Sequence, residues 1–316
     1  MKRPTVVLLC ALLTLSCASE MQRSLPVAST PGRPPDVRHA FSFGSSGQSL
    51  GQFRTPSSIA VDSFGNLLVA DTGNNRIQKF DAYGHFLLEF GGLGTEGAEL
   101  NRPTDAVENS LSVYVVDSMN ERVLEYGPEG RFISVCVSGE TLDGSGRGFG
   151  PRKLAFSESG YGFLTDVEAD AVIVLSKFWE PISVIGGFGS GEGHFADPLG
   201  ITCTRGGEVL VCDSGNGRLQ ILDTLGNFVA LLETCSGRAL CEPVDVDAGP
   251  DGSLYVVDRL GKRVLVFNSD RTFRCEIPGS DGPSLVSPCA VAASSKGIVY
   301  IVDGGADVVH AFETKR

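Results

Sequence analysis

Six aspartates, Asp71, Asp117, Asp166, Asp213, Asp258 and Asp303, each close a short apolar run, and they recur 46, 49, 47, 45 and 45 residues apart. A proline opens each of the same six segments: Pro56, Pro103, Pro151, Pro198, Pro243 and Pro288. A unit this short cannot bury its own apolar face, so copies must stack on one another, and this period restricts the fold more than composition does. In the first copy the apolar runs are Ile59–Val61, Leu67–Ala70, Ile77–Phe80 and Phe86–Phe90. Turns at Phe64-Gly65-Asn66, Thr72–Asn75 and Tyr83-Gly84 separate them. Short apolar runs between Gly/Asn/Asp turns are strands joined as hairpins. Four strands in about 45 residues predict one propeller blade.

The expected fold is therefore an all-β, six-bladed β-propeller of four-stranded antiparallel blades. The sixth copy stops at Ala311-Phe312, the end of its third strand. A fourth strand is available at the other end of the chain, Ala40-Phe41-Ser42-Phe43-Gly44, which matches Phe90-Gly91 and Phe188-Gly189 after the first and third copies. The N-terminal strand is expected to complete the last blade and so leave no open seam of unpaired edges.

The pattern Gly-x-Phe-x-x-Pro, an apolar strand, Gly-x-apolar-x-Val-x-Asp and Asn-x-Arg resembles the NHL repeat. The resemblance covers residues 38–316. It implies a six-bladed ring but no single activity, because such propellers host enzymes, binding platforms and scaffolds. One related propeller, the peptidyl-hydroxyglycine lyase of peptide amidation, holds zinc with inner-strand histidines just after the repeat proline. Here that slot reads Ser57, Thr104, Arg152, Leu199, Val244 and Cys289, without histidine, so that activity is not expected.

Four of the repeat aspartates are followed five residues later by arginine, giving Asp71/Arg76, Asp117/Arg122, Asp213/Arg218 and Asp258/Arg263. Recurrence in four blades points to architecture. The carboxylate is expected to accept N–H groups of the next turn, and the arginine to pair across the hairpin. Blades three and six carry Ala171 and Val308 instead. The second slot after the proline reads Ser58, Asp105, Lys153, Gly200, Asp245 and Ala290. Blades two and five face each other in a six-fold ring, so Asp105, Lys153 and Asp245 form a candidate polar channel mouth. Such a mouth suits a cation or a cationic ligand group; no cofactor is otherwise expected, and a divalent metal in the channel is the alternative. The bland reading is that these charges merely solvate a wet channel. None of the four histidines falls on an expected inner strand, and no helix is evident.

The chain begins with Lys2 and Arg3 and an uncharged run from Thr5 to Ser16. This run is too short to span a bilayer and suits a signal-peptide core. Leu13-Thr14-Leu15-Ser16-Cys17 resembles a bacterial lipobox with Thr14 and Leu15 exchanged, which implies lipidation at Cys17. The expected organisation is a signal peptide at 1–17, a Pro/Ser/Thr-rich tether at 18–37 and the propeller at 38–316. Location is then extracytoplasmic, on the outer membrane or cell envelope; plain secretion is the alternative. In an oxidising compartment Cys235 and Cys241 are a candidate disulfide, although the spacing also suits two free thiols. Cys203 and Cys212 fall at apolar strand positions and read as core.

Net charge is −12, which argues against nucleic acid and against a basic lipid-docking patch. Membrane contact is expected only through the anchor. The functional expectation is a monomeric, non-catalytic binding or scaffold propeller for a protein, peptide or glycan. The alternative is a metal-dependent hydrolase or lyase with its site at the channel mouth.

Overall fold

The computed structural model describes residues 37–142, 148–235, 238–278 and 282–314. The leader, most of the tether, Cys17 and residues 144–147 of one glycine-rich stretch lie outside the described residues. Six four-stranded antiparallel sheets follow one another along the chain. Their inner strands are Ser58–Val61, Pro103–Asn109, Pro151–Phe156, Pro198–Cys203, Pro243–Ala248 and Pro288–Ala293. Each inner strand packs on the next, and the last returns to the first, so the sheets close into a ring around a central channel. This is the all-β, six-bladed propeller that the period predicts. Among the described residues one α-helical turn, Gly139–Leu142, and three 3₁₀ turns, Thr72–Asn74, Ser118–Asn120 and Ser214–Asn216, are present where no helix was expected, and a hairpin of two-residue strands precedes blade five.

The last blade is built from both ends of the chain. Val37–Phe43 pairs antiparallel with Val308–Thr314, from Val37 opposite Thr314 to Phe43 opposite Val309. The closing seam has an apolar core. Ile59, Leu67, Val69 and Phe80 of blade one bury against Ala290, Tyr300, Val302 and Val309 of blade six. Each of the other five blade pairs has a similar buried cluster between its sheets. The core is thus six wedges of strand-facing aliphatic and aromatic side chains, as sheet-on-sheet packing requires. Cys212 is fully buried in one wedge, and Cys203 is partly buried against another.

Three outer strands run into a glycine pressed against the loop that follows, at Gly44, Gly91 and Gly186. A Cβ on Gly44 would lie 2.3 Å from the ring of Phe53, and one on Gly186 would lie 2.5 Å from Phe195. Both glycines also have positive φ, +90° and +97°, where a side chain is strained. This corrects one alignment. The counterpart of Phe43-Gly44 in blade three is Ile185-Gly186, not Phe188-Gly189; Phe188 instead bridges to Phe195, as Ser46 does to Phe53.

Candidate functional site

The repeat aspartates are buried at the loop end of the ring, where the inner strands begin. Asp71 Oδ1 accepts the N–H of Arg54 at 2.7 Å, and its Oδ2 accepts Arg76 Nε at 2.8 Å, Asn74 Nδ2 at 2.9 Å and Gln78 Nε2 at 3.1 Å. Asp117 takes Asn101 N–H and Arg122, Asp213 takes Ala196 N–H and Arg218, and Asp258 takes Glu242 N–H and Arg263. The arginines then reach onward to carbonyls of the same inbound loop, as Arg218 does to Gly191 and His194. The carboxylate therefore fastens mainly the segment that enters its blade, 16 or 17 residues upstream, rather than the next turn. Backbone N–H groups of the next turn are used as well in three blades: Asp166 accepts Glu168 and Ala169 N–H, Asp303 accepts Gly305 N–H, and Asp258 accepts Gly261 N–H. Burial raises the pKa of Asp166, partly countered by these donors.

The three inner-strand charges converge. Lys153 Nζ lies 3.0 Å from Asp245 Oδ2 and 3.8 Å from Asp105 Oδ1. Each carboxylate is also held by neighbouring blades. Asp105 accepts Ser58 Oγ from blade one and Leu154 N–H from blade three, the latter at 3.0 Å. Asp245 accepts Val291 N–H from blade six at 2.9 Å. Burial pulls the Lys153 pKa down, but the two carboxylates outweigh it and hold the ammonium above its ordinary value. Burial raises Asp245, and Lys153 offsets part of that rise. Asp105 and Asp245 are buried, so the group does not ring an open mouth. It closes the floor of a cavity.

That cavity, about 610 Å³, opens at the opposite, turn end of the channel. Its walls are apolar where Ile59, Ile201 and Val291 face it, and charged at the rim, where Glu108, Arg205, Glu208 and Arg271 stand. Glu208 and Arg271 form an ion pair, and Glu108 accepts Ser63 Oγ at 2.8 Å. Arg205 is exposed. Asp247, two residues beyond Asp245 and so on the same strand face, lines the wall. It accepts Ala293 and Ala248 N–H at 2.8 Å each, yet burial lifts its pKa to about 6. Asp247 is signalled in the sequence only by its two-residue spacing from Asp245.

Among the described residues, no group of three or more His, Cys, Asp or Glu side chains is placed to hold a metal ion. The two channel carboxylates hold Lys153 instead. His39 and His310 lie on the outer and third strands of the last blade, joined through Ser42 Oγ at 2.8 Å each. His85 sits in an outer turn and His194 in an inter-blade loop. The side chain of Cys235 lies outside the described ones, so the expected pairing with Cys241 does too; Cys241 is exposed.

Residues 53–80 and 195–222 match the NHL repeat. The chain carries NHL repeats. It is 35% identical over 115 residues to Protein brain tumor of Drosophila melanogaster, across 33% of this chain and 11% of that protein. It is 24% identical over 256 residues to Protein SUPPRESSOR OF QUENCHING 1, chloroplastic, of Arabidopsis thaliana, across 65% of this chain and 24% of that one. The NHL-repeat chain thus spans a quarter or less of the length of these curated relatives. Among solved structures it superposes on a virginiamycin B lyase from Staphylococcus aureus with a TM-score of 0.59, at 11% identity, over 85% of this chain and 82% of that one. At that identity the likeness is one of fold.

Proposed function

We propose that this protein is a non-catalytic, extracytoplasmic binding propeller that presents the turn end of its channel to a protein, peptide or glycan. The observation that carries the reading is the pairing at the channel floor. Lys153 is committed to two carboxylates, and those carboxylates are committed to backbone and hydroxyl donors of adjacent blades. Groups bound to one another in this way hold the ring together, and a catalytic acid, base or nucleophile needs a free proton or lone pair aimed at substrate. What remains for a partner is the cavity with its apolar wall and the charged rim of Glu108, Arg205, Glu208 and Arg271. A concave apolar site edged by a few charges is the usual form of a recognition pocket. NHL propellers commonly serve in protein binding, which agrees with this reading.

The alternative, a metal-dependent hydrolase or lyase at the same place, requires Lys153 to leave the space between Asp105 and Asp245. Two measurements separate the readings. A partner captured by the protein is expected to be lost when Glu108→Lys and Arg205→Glu are combined, and kept with Arg102→Gln at the far end of the channel. About one divalent ion per chain, purified without chelator and released by Asp245→Asn, would replace the binding reading with the enzymatic one.

A further inference from the structure

Arg152 occupies the first slot after the proline of blade three, at the loop end of the channel, away from the cavity. Its Nε is shielded from solvent and has no hydrogen-bond partner; it is the one buried side-chain polar atom in that condition among the described residues. Buried donors are nearly always satisfied in folded proteins, so this one points to a missing acceptor. The neighbouring blades do not supply it. In the same slot, Ser57 Oγ donates to the Thr104 carbonyl, Thr104 Oγ1 to the Arg152 carbonyl and Cys289 Sγ to the Pro56 carbonyl, while Leu199 and Val244 are apolar.

The surroundings favour an anion. Arg102 immediately precedes the inner strand of blade two, and Arg259 follows the second strand of blade five, so both stand at the same end of the ring. Burial and the positive charges of Arg102 and Arg259 push the pKa of Arg152 down, while Asp197 pulls it up. Glu242 is already spent on a forked ion pair with Arg259. In a chain of net charge −12, a concentration of guanidinium at one point is a local construction rather than a property of the whole surface.

We propose that Arg152, with Arg102 and Arg259 at the same end of the ring, binds a small oxyanion, carboxylate or phosphate, at the loop end of the channel. Such a ligand would accept from Nε and the adjacent NH₂ in the planar fork that suits guanidinium, and would neutralise the repulsion among the three arginines. The site is on the other face from the cavity and does not depend on the partner-binding reading.

The test is calorimetric titration of the full chain at low ionic strength with inorganic phosphate and, separately, with succinate, against sodium chloride at matched ionic strength. One saturable site for phosphate or succinate is expected, and the stronger probe tells a phosphate site from a carboxylate one. Arg152→Gln is expected to weaken it by at least about tenfold. Without any probe, Arg152→Gln is expected to melt no lower than the wild type, because the unpartnered donor is gone. Saturable binding by neither probe, equal binding by Arg152→Gln, or a lower melting temperature of that variant without probe would each overturn the proposal.

Discussion

Lys153 of blade three reaches across the channel to Asp245 of blade five, with Nζ and Oδ2 3.0 Å apart, and has Asp105 of blade two as a second ion-pair partner at 3.8 Å. Three blades that are far apart in sequence are thereby tied at the ring's centre. Lys153→Met removes the cation and leaves two buried carboxylates facing each other. A loss of about 3–5 kcal/mol is expected at pH 7 in urea unfolding, the usual cost of stranding a buried charge. Burial already raises the pKa of Asp245, so protonation at lower pH relieves the stranded pair. The loss should therefore shrink as pH falls toward 4; a pH-independent loss would mean that packing alone is responsible.

Arg218 and Asp213 make the same kind of pair at the loop end, with Nε and Oδ2 2.6 Å apart and both side chains buried. Arg218 also donates to the Gly191 and His194 carbonyls. Arg218→Ala breaks all of these at once and is expected to cost about 3 kcal/mol. Arg38→Ala is the contrast. Arg38 and Glu313 are similarly close, 2.8 Å apart, but their side chains are 74% and 49% exposed. Its loss should stay below about 1 kcal/mol. If chemical unfolding gave the two variants similar losses, burial would not be what sets the value of these pairs.

The register of the six blades was legible because Asp71 and its five counterparts mark the end of every second strand. The closing strand was legible for the same reason: Val308–Thr314 lacks an outer neighbour in its own repeat. Equivalence of position does not reveal direction, however. Asp71 was expected to serve the turn after it, and it serves Arg54, a residue 17 positions before it. Nothing in a period tells which of two nearby backbone segments lies closer. Asp105, Lys153 and Asp245 were found as one inner-strand slot, but their depth was not, since a slot fixes height along a strand and not the room left by neighbours. The counterpart of Gly44 in blade three is ambiguous in the sequence because that loop repeats glycine at 186, 187, 189, 191 and 193. Only contact with Phe195 distinguishes the right one.

Asp247 gives a pH dependence of defined sign. Its folded pKa of about 6 lies above the ordinary 3.8, so the folded state holds the proton more tightly than the unfolded state does. Stability contributed by this group is then present at low pH and lost as pH rises from about 4 to about 6. The side chain is part-exposed and lines the cavity, and screening there reduces the change to the order of 1–2 kcal/mol. Asp247→Asn abolishes the titration. The difference in unfolding free energy, variant minus wild type, should rise between pH 4 and pH 6 and stay level above it. A difference flat across that range would show that Asp247 titrates normally.

Asp307, in the last blade, ties the ring's seam from another side. Its Oδ1 accepts the N–H of Thr55 at 2.7 Å, just before the first inner strand. Asn75 does the same for Arg102, and Asp170 for Asp197, so the contact recurs between successive blades. Each acceptor and each donor residue has positive φ, from +45° at Thr55 to +57° at Asn75. A β-branched threonine is strained there, and the carboxylate is what holds it. Asp307→Ala should cost about 1–2 kcal/mol, the loss of a charged acceptor with the strain left in place. Thr55→Gly accepts the same backbone without strain. In a double-mutant cycle followed by thermal melting, Asp307→Ala should therefore cost less in the Thr55→Gly background than in the wild type. Additive losses would mean that the hydrogen bond and the left-handed backbone at Thr55 are independent, and that the seam rests on its apolar wedge and the N-terminal strand alone.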